Sequence, residues 1–201
     1  MNKEIDFSLA PSLRQAQSKE EAAETIFEFM REHGRSFYDE SVTQLEHALQ
    51  AAELARSNNA NQAQVIAALL HDIGHFLMDE HSNQSDFLKE DWCHETIGAD
   101  HLESFFDSSV TEPIRLHVPA KRYLCTVDPE YYGGLSQASK QSYELQGGKM
   151  SEQEVEEFEA HPDFRTAVLL RRWDDGAKVK DKQVADLDDY KEEMVGCLQM
   201  A

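Results

Sequence analysis

The 201-residue sequence contains no apolar run of about 18 residues, so no segment reads as a helix long enough to span a bilayer. Its start, MNKEIDFSLAPSLRQ, lacks the positively charged leader and apolar stretch of a secretory signal, which makes a cytoplasmic location the expectation. Cysteine is scarce. Cys93, Cys125 and Cys197 are odd in number, widely spaced and without a C-x-x-C, which argues against a disulfide framework and a thiolate zinc site and leaves reduced thiols. Positive charge is short too: 19 Lys and Arg face 39 Asp and Glu, a net charge of -20. Such a surface repels polyanions, so nucleic acid and acidic membranes are not expected as partners, and an anionic small molecule needs a local cluster of cations. Strand alternation is nearly absent, there is no internal repeat or low-complexity segment, and nothing calls for an obligatory protein partner.

What is present is helical punctuation, and the fold class it predicts is all-α, in one domain over residues 1 to 201. Ser18 with Glu21 forms a capping box, Ala22, Ile26 and Met30 follow at helical spacing, and Gly34 supplies a stop. A second helix is predicted over about Val42 to Asn58. A third, from about Asn61 to Met78, is apolar nearly all round and should be central. His94 to Phe106 makes a fourth and Thr111 to His117 a short fifth, which Pro119 is expected to end. Residues 79 to 91 and 123 to 134 read as loops. Leu135 to Leu145 looks helical and stops at Gly147 and Gly148. Ser151 with Glu154 is a second capping box, Pro162 opens a helix reaching Asp175, and Leu187, Met194, Val195 and Leu198 mark a C-terminal helix.

The segment AALLHDIGHF, Ala67 to Phe76, places two histidines and an aspartate in a stretch that reads as buried. On a continuous helix His71 and His75 share a face, with Asp72 about 100° away. A buried carboxylate beside imidazoles is costly unless it is paired or holds a metal, and His with Asp suits iron, manganese or zinc. His47 borders the apolar arc of the second helix, His94 opens the fourth and His117 ends the fifth. In the helix after Pro162, Phe164, Ala167, Val168, Arg171 and Asp174 lie on one line, so Arg171 and Asp174 either pair with each other or face a site. His33, His81, His101 and His161 read as surface residues.

The order His47, His71-Asp72, Asp174 resembles that of the HD-domain superfamily, an all-helical metal-binding fold. The added His94 and His117 resemble the version that holds two metals. That likeness implies His47, His71 and Asp174 on one metal, His94 and His117 on the other, and Asp72 shared between them. The segments QLEHALQAA, LLHDIGH, HETIGADHL, HVPAKRYL, LSQASKQSYELQGGKM and LLRRWDD are similar to the small HD-type mixed-valent diiron oxygenases that cleave organophosphonates. The resemblance covers a core of about 36 to 178 and implies a pair of irons, Fe(II) and Fe(III), with O2 as co-substrate. It implies as substrate a 1-hydroxyalkylphosphonate bearing a 2-amino or 2-trimethylammonio group. Asp72, His75 and Lys121 are then the catalytic residues, and Lys121, Arg171, Ser139, His75, Glu40 and Tyr38 the substrate contacts. Relatives that take the primary amine carry a Tyr where this chain has Phe37. With Tyr38 and Trp92 as aromatic faces near Asp39 and Glu40, the expectation is the trimethylammonio compound, cleaved to glycine betaine and phosphate. The alternatives are the same cleavage of the primary amine to glycine and phosphate, and a metal-dependent phosphohydrolase with the same ligands.

Overall fold

The computed structural model describes residues 8–36, 42–78 and 91–199, and there every regular element is a helix. An isolated antiparallel bridge joins Phe106 to Leu198, but the described residues form no strand. No helix among them is long and apolar enough to cross a membrane. The three cysteines are free thiols.

Helix α1 (Leu9–Gln15) packs on α2 (Lys19–His33). Ser18 caps α2 by accepting from the Glu21 amide, while the Glu21 carboxylate reaches one residue further back, to the Gln17 amide at 2.7 Å. Helix α3 (Gln44–Ser57) starts at a reciprocal capping box of Thr43 and Glu46. Helix α4 (Gln62–Leu70) starts at another, Asn61 with Gln64, and buries every residue from Val65 to Leu70. With no polar face it can only be central, and α3, α7, α11 and α12 all pack on it.

The third helix does not run unbroken to Met78. It stops at Leu70, turns through His71 and Asp72, and resumes as α5 (Ile73–Leu77). Asp72 sits at φ -101°, ψ 15°, where its carbonyl accepts from the His75 amide at 2.9 Å. Aspartate is a poor interior helix residue, and the turn presents its carboxylate to three other helices. Gly74 lets α5 meet the start of α6 (His94–Leu102), since a Cβ there would lie 2.0 Å from the His94 carbonyl oxygen.

The fifth helix is far longer than its sequence suggests. α7 (Ser108–Val127) runs through both Pro113 and Pro119. An interior proline forfeits a hydrogen bond and costs about 3 kcal/mol. Here α7 packs on α4, α6 and α11 and buries Ile114, Val118 and Leu124, and each such side chain contributes roughly 1.5–3 kcal/mol, so packing outweighs the proline. The loop expected over 123 to 134 is accordingly the end of α7 followed by α8 (Pro129–Gly134), capped by Asp128 with Pro129 in its first turn. Helix α9 (Gln137–Leu145) closes through Gly147 and Gly148, both at positive φ. Helix α10 (Glu152–Glu159) begins at the Ser151–Glu154 capping box. Helix α11 (Phe164–Gly176) packs on α7 and α3, and a 3-10 turn (Leu187–Tyr190) leads to α12 (Lys191–Cys197) against α2 and α4.

Candidate metal centre and anion pocket

His47 of α3, His71 and Asp72 of the α4–α5 turn, His94 of α6, His117 of α7 and Asp174 of α11 are all buried and converge. Backbone carbonyls orient three of the rings. His47 Nδ1 lies 2.9 Å from the Ala177 oxygen, His71 Nδ1 2.8 Å from that of Ala68, and His117 Nδ1 2.7 Å from that of Ile114. A carbonyl can only accept, so each Nδ1 carries a hydrogen, and in the neutral, ligating form of the ring each Nε2 turns a lone pair inward. The Nε2 atoms of His47 and His71 are 3.2 Å apart, and those of His94 and His117 3.1 Å.

The Asp72 carboxylate stands between these two histidine pairs. Its Oδ2 lies 3.3 Å from His71 Nε2 and 3.5 Å from His47 Nε2, while its Oδ1 lies 3.3 Å from His94 Nε2 and 3.6 Å from His117 Nε2. Asp174 Oδ1 is 3.3 Å from His47 Nε2. Neither Asp72 Oδ2 nor Asp174 Oδ1 meets a hydrogen-bond donor among the described residues. Buried acceptors facing acceptors at these distances are unfavourable without a cation to share. The site therefore fits metal, and its mixture of imidazole and carboxylate suits iron, manganese or zinc. Although burial opposes ionisation, the His71 imidazole beside Asp72 holds that carboxyl well below the usual range, and Arg171 does the same for Asp174. Burial, then His94, pushes His117 well down and so favours the neutral, ligating imidazole.

Two features differ from a simple reading of the spacing. Because the helix turns at Asp72, His75 stacks flat on the His94 ring, centroids 3.9 Å apart and planes at 17°. One ligating atom each of Asp72, His75 and His94 falls within 4.8 Å of the others, so His75 is also within reach of a metal there. The buried Glu95 places Oε2 3.5 Å from His94 Nδ1, the place that carbonyls take on the other three rings.

Beside Asp174 lies a group of cations. Arg171 Nη1 donates to Asp174 Oδ2 at 2.7 Å; its Nε donates to the Tyr131 hydroxyl at 3.1 Å and to Asp175 Oδ2 at 3.2 Å, and its Nη2 to Asp175 Oδ1. Tyr131 in turn donates to Asp175. Arg171 and Asp174 thus pair with each other at the edge of the His/Asp cluster. Lys121, one turn after His117 on α7, is buried and donates to Ser142 Oγ at 2.9 Å. Burial first, and then the charge of Arg171, lower its ammonium pKa to about 7. Ser139 is buried at the start of α9, where its Oγ accepts from Lys178 Nζ at 3.2 Å.

Residues 44–174 match the HD domain family. The chain is 60% identical over 199 residues, 99% of each sequence, to the hydroxymethylphosphonate dioxygenase of Gimesia maris. It is 42% identical over 158 residues, 79% of this chain and 80% of the relative, to the glycine-betaine-forming [1-hydroxy-2-(trimethylamino)ethyl]phosphonate dioxygenase of Leisingera caerulea. An uncharacterised protein of Acanthamoeba polyphaga mimivirus is 39% identical over 173 residues, 85% of this chain and 79% of its own. The chain belongs to the HD-domain phosphonate oxygenases.

In this HD-domain oxygenase the six candidate ligands His47, His71, Asp72, His94, His117 and Asp174 converge, Arg171 pairs with Asp174, and Lys121 and Ser139 lie buried with the cations beside it. Glu40 and Tyr38, with Phe37 and Asp39, lie outside the described residues; Trp92 is half-buried two residues ahead of His94. Sequence reasoning missed Lys178, Ser142, Tyr131, Asp175 and Glu95. Glu95 and Asp175 each adjoin a ligand in sequence, and Lys178 follows Asp174 by four residues, which is the signal that could have found them.

Proposed function

We propose that this oxygenase cleaves the carbon–phosphorus bond of hydroxymethylphosphonate, giving formate and phosphate. The observation that carries the reading is the juxtaposition of an acceptor-only cluster, split in two by Asp72, with the buried cations Lys121 and Arg171. A relative 60% identical along its whole length, named for that substrate, supports the choice of head group and carbon chain. Two iron ions would be held by His47, His71 and Asp174 and by His94 and His117, with Asp72 on both. Bound there, they would supply the activation of O2. The reaction balances without another reductant: HOCH2PO3H2 and O2 contain the same atoms as HCOOH and H3PO4, and the carbon loses the four electrons that O2 takes up.

The chain's own residues bind and orient. Lys121 and Arg171 offer charge-assisted donors to the phosphonate oxygens, offsetting the repulsion of a -20 surface. His75, stacked on His94 and within reach of Asp72, can contact the substrate hydroxyl. Burial of the whole cluster keeps bulk water from the reacting carbon. The trimethylammonio substrate expected from Phe37, Tyr38 and Trp92 is the second reading, favoured by the relative that forms glycine betaine. Incubating the iron-loaded protein separately with hydroxymethylphosphonate, the trimethylammonio compound and the primary amine, with and without O2, tests the proposal. Phosphate release with formate from the first, dependent on O2, is the expected result. Preference for either amino compound would overturn the substrate, and release without O2 would point to hydrolysis.

A further inference from the structure

Lys178 lies beyond the end of α11, yet its ammonium reaches across to α9 and donates to Ser139 Oγ at 3.2 Å. The same oxygen accepts from the Ser136 hydroxyl at 3.0 Å. A serine oxygen has two lone pairs and one hydrogen. With both lone pairs taken, the buried Ser139 hydroxyl is left with its hydrogen to give. Ser142, one turn on, is committed the other way: its Oγ accepts from Lys121 Nζ at 2.9 Å and donates to the Ser139 carbonyl at 3.2 Å. One hydroxyl thus anchors a lysine, and another lysine directs a hydroxyl. Arg171 takes up Asp174 and Asp175, while the ammonium of Lys121 bonds a neutral oxygen rather than a carboxylate. Lys178 and Lys121 are thus linked through Ser139 and Ser142, one turn apart on α9, and the charge of Lys178 acts on Lys121 and on Asp174, the partner of Arg171. Like charges collected at a buried site favour an anion of more than one charge.

We propose that Lys178 is a specificity-determining residue of this pocket, supplying a third cation beside Lys121 and Arg171 and holding Ser139 as a hydrogen donor. The pocket then prefers a doubly charged tetrahedral phosphonate to a singly charged carboxylate. The identity of the head group rests on the proposed function; the role of Lys178 rests on the contacts above.

The test uses the full-length, iron-loaded protein and three readings: iron per chain, calorimetric titration with inorganic phosphate and with acetate, and turnover of hydroxymethylphosphonate. Lys178→Met is expected to keep its iron, to bind phosphate roughly ten- to hundredfold more weakly, and to raise KM more than it lowers kcat. Lys178→Arg, which keeps the charge, should recover part of the phosphate affinity. Ser139→Ala should weaken phosphate binding in the native background but add little to Lys178→Met, because the hydroxyl has then already lost its direction. Native-like phosphate affinity in Lys178→Met overturns the proposal, as does equal weakening of phosphate and acetate. Loss of iron from both Lys178 variants also overturns it, by making the residue a support of Asp174. If phosphate binding depends on Lys178 while the native protein turns over no phosphonate, the pocket stands and the substrate assignment falls.

Discussion

Lys121 concentrates the chemistry of the pocket in one titrating group. Its pKa is lowered to about 7 by burial and then by Arg171, against 10.5 for an ordinary lysine. In the metal-free protein the ammonium is therefore expected to lose its proton as pH rises through about 7, and with it part of the attraction for a dianion. The ratio of native to Lys121→Met affinity should fall between about pH 6 and about pH 8.5 when measured with sulfate, which stays a dianion across that range. A flat ratio in calorimetry would remove Lys121 from the anion site. The sign for stability is opposite. Between about 7 and 10.5 the unfolded chain binds the proton that the folded one does not, so this residue's contribution to stability rises with pH over that window. Asp72 offers a second test at this scale. Because its two oxygens face different histidine pairs, Asp72→Ala should take bound iron from about two per chain to near zero, while Asp174→Ala should leave about one. Elemental analysis decides both. That these histidines and aspartates would converge in the core was legible in the sequence, because polar groups set behind an all-apolar stretch are carried inward, where they need a metal or a partner. Glu95, Ser142 and Lys178 were not, since each is an ordinary surface type whose burial or partner depends on a fold that spacing does not describe.

Among the elements, the α5–α6 contact is the tightest point on which the centre depends. Gly74 faces the His94 backbone so closely that an added Cβ would meet its carbonyl oxygen at 2.0 Å and its Cα at 2.9 Å, and backbone cannot swing aside as a side chain can. Gly74→Ala should push the start of α6 away. The expected outcome is loss of about one iron per chain, with His94 as the displaced ligand, and destabilisation of roughly 1–3 kcal/mol, as overpacking usually costs. Iron analysis beside denaturant unfolding checks it, and a variant with native iron content would mean that α6 adjusts as a rigid body. Capping residues made two helix starts readable, at Ser18 and Ser151; Asn61 and Ser136 cap helices as well, but sequence reasoning did not single them out as caps. Two of the misread elements share a cause. Local rules predicted a continuous helix through Asp72 and a stop at Pro119, and in both places burial against other helices decided otherwise. At Asp72 the chain turns to deliver a carboxylate; at Pro119 it continues and thereby keeps His117 and Lys121 one turn apart on the same buried face.

For the molecule as a whole, the proposed metal centre would also be a tie. Its candidate ligands come from α3, the α4–α5 turn, α6, α7 and α11, so a metal held there would join chain from His47 to Asp174, whereas without it the neutral rings set lone pairs against one another at 3.1 and 3.2 Å. The unfolded chain offers no such preformed set, so binding free energy appears as folding free energy. Free iron at about 100 to 1,000 times its dissociation constant stabilises a fold by roughly 2.7 to 4.1 kcal/mol. For a chain of this size each kcal/mol moves the melting temperature by about 2–4 °C, so chelation should lower it by roughly 5 to 15 °C. The net charge of -20 acts in the same direction, because removing cations from an acidic molecule leaves its self-repulsion less compensated. That part is screened by salt, so the gap between loaded and stripped protein should narrow from low to moderate ionic strength without closing, the buried contacts being screened much less. Calorimetric melting of native protein and of Asp72→Ala, each before and after chelation at two salt concentrations, separates the terms. The variant is expected to melt near the stripped native protein and to ignore the chelator; a variant that loses as much stability on chelation as the native chain would place the stabilising metal somewhere other than between the two histidine pairs.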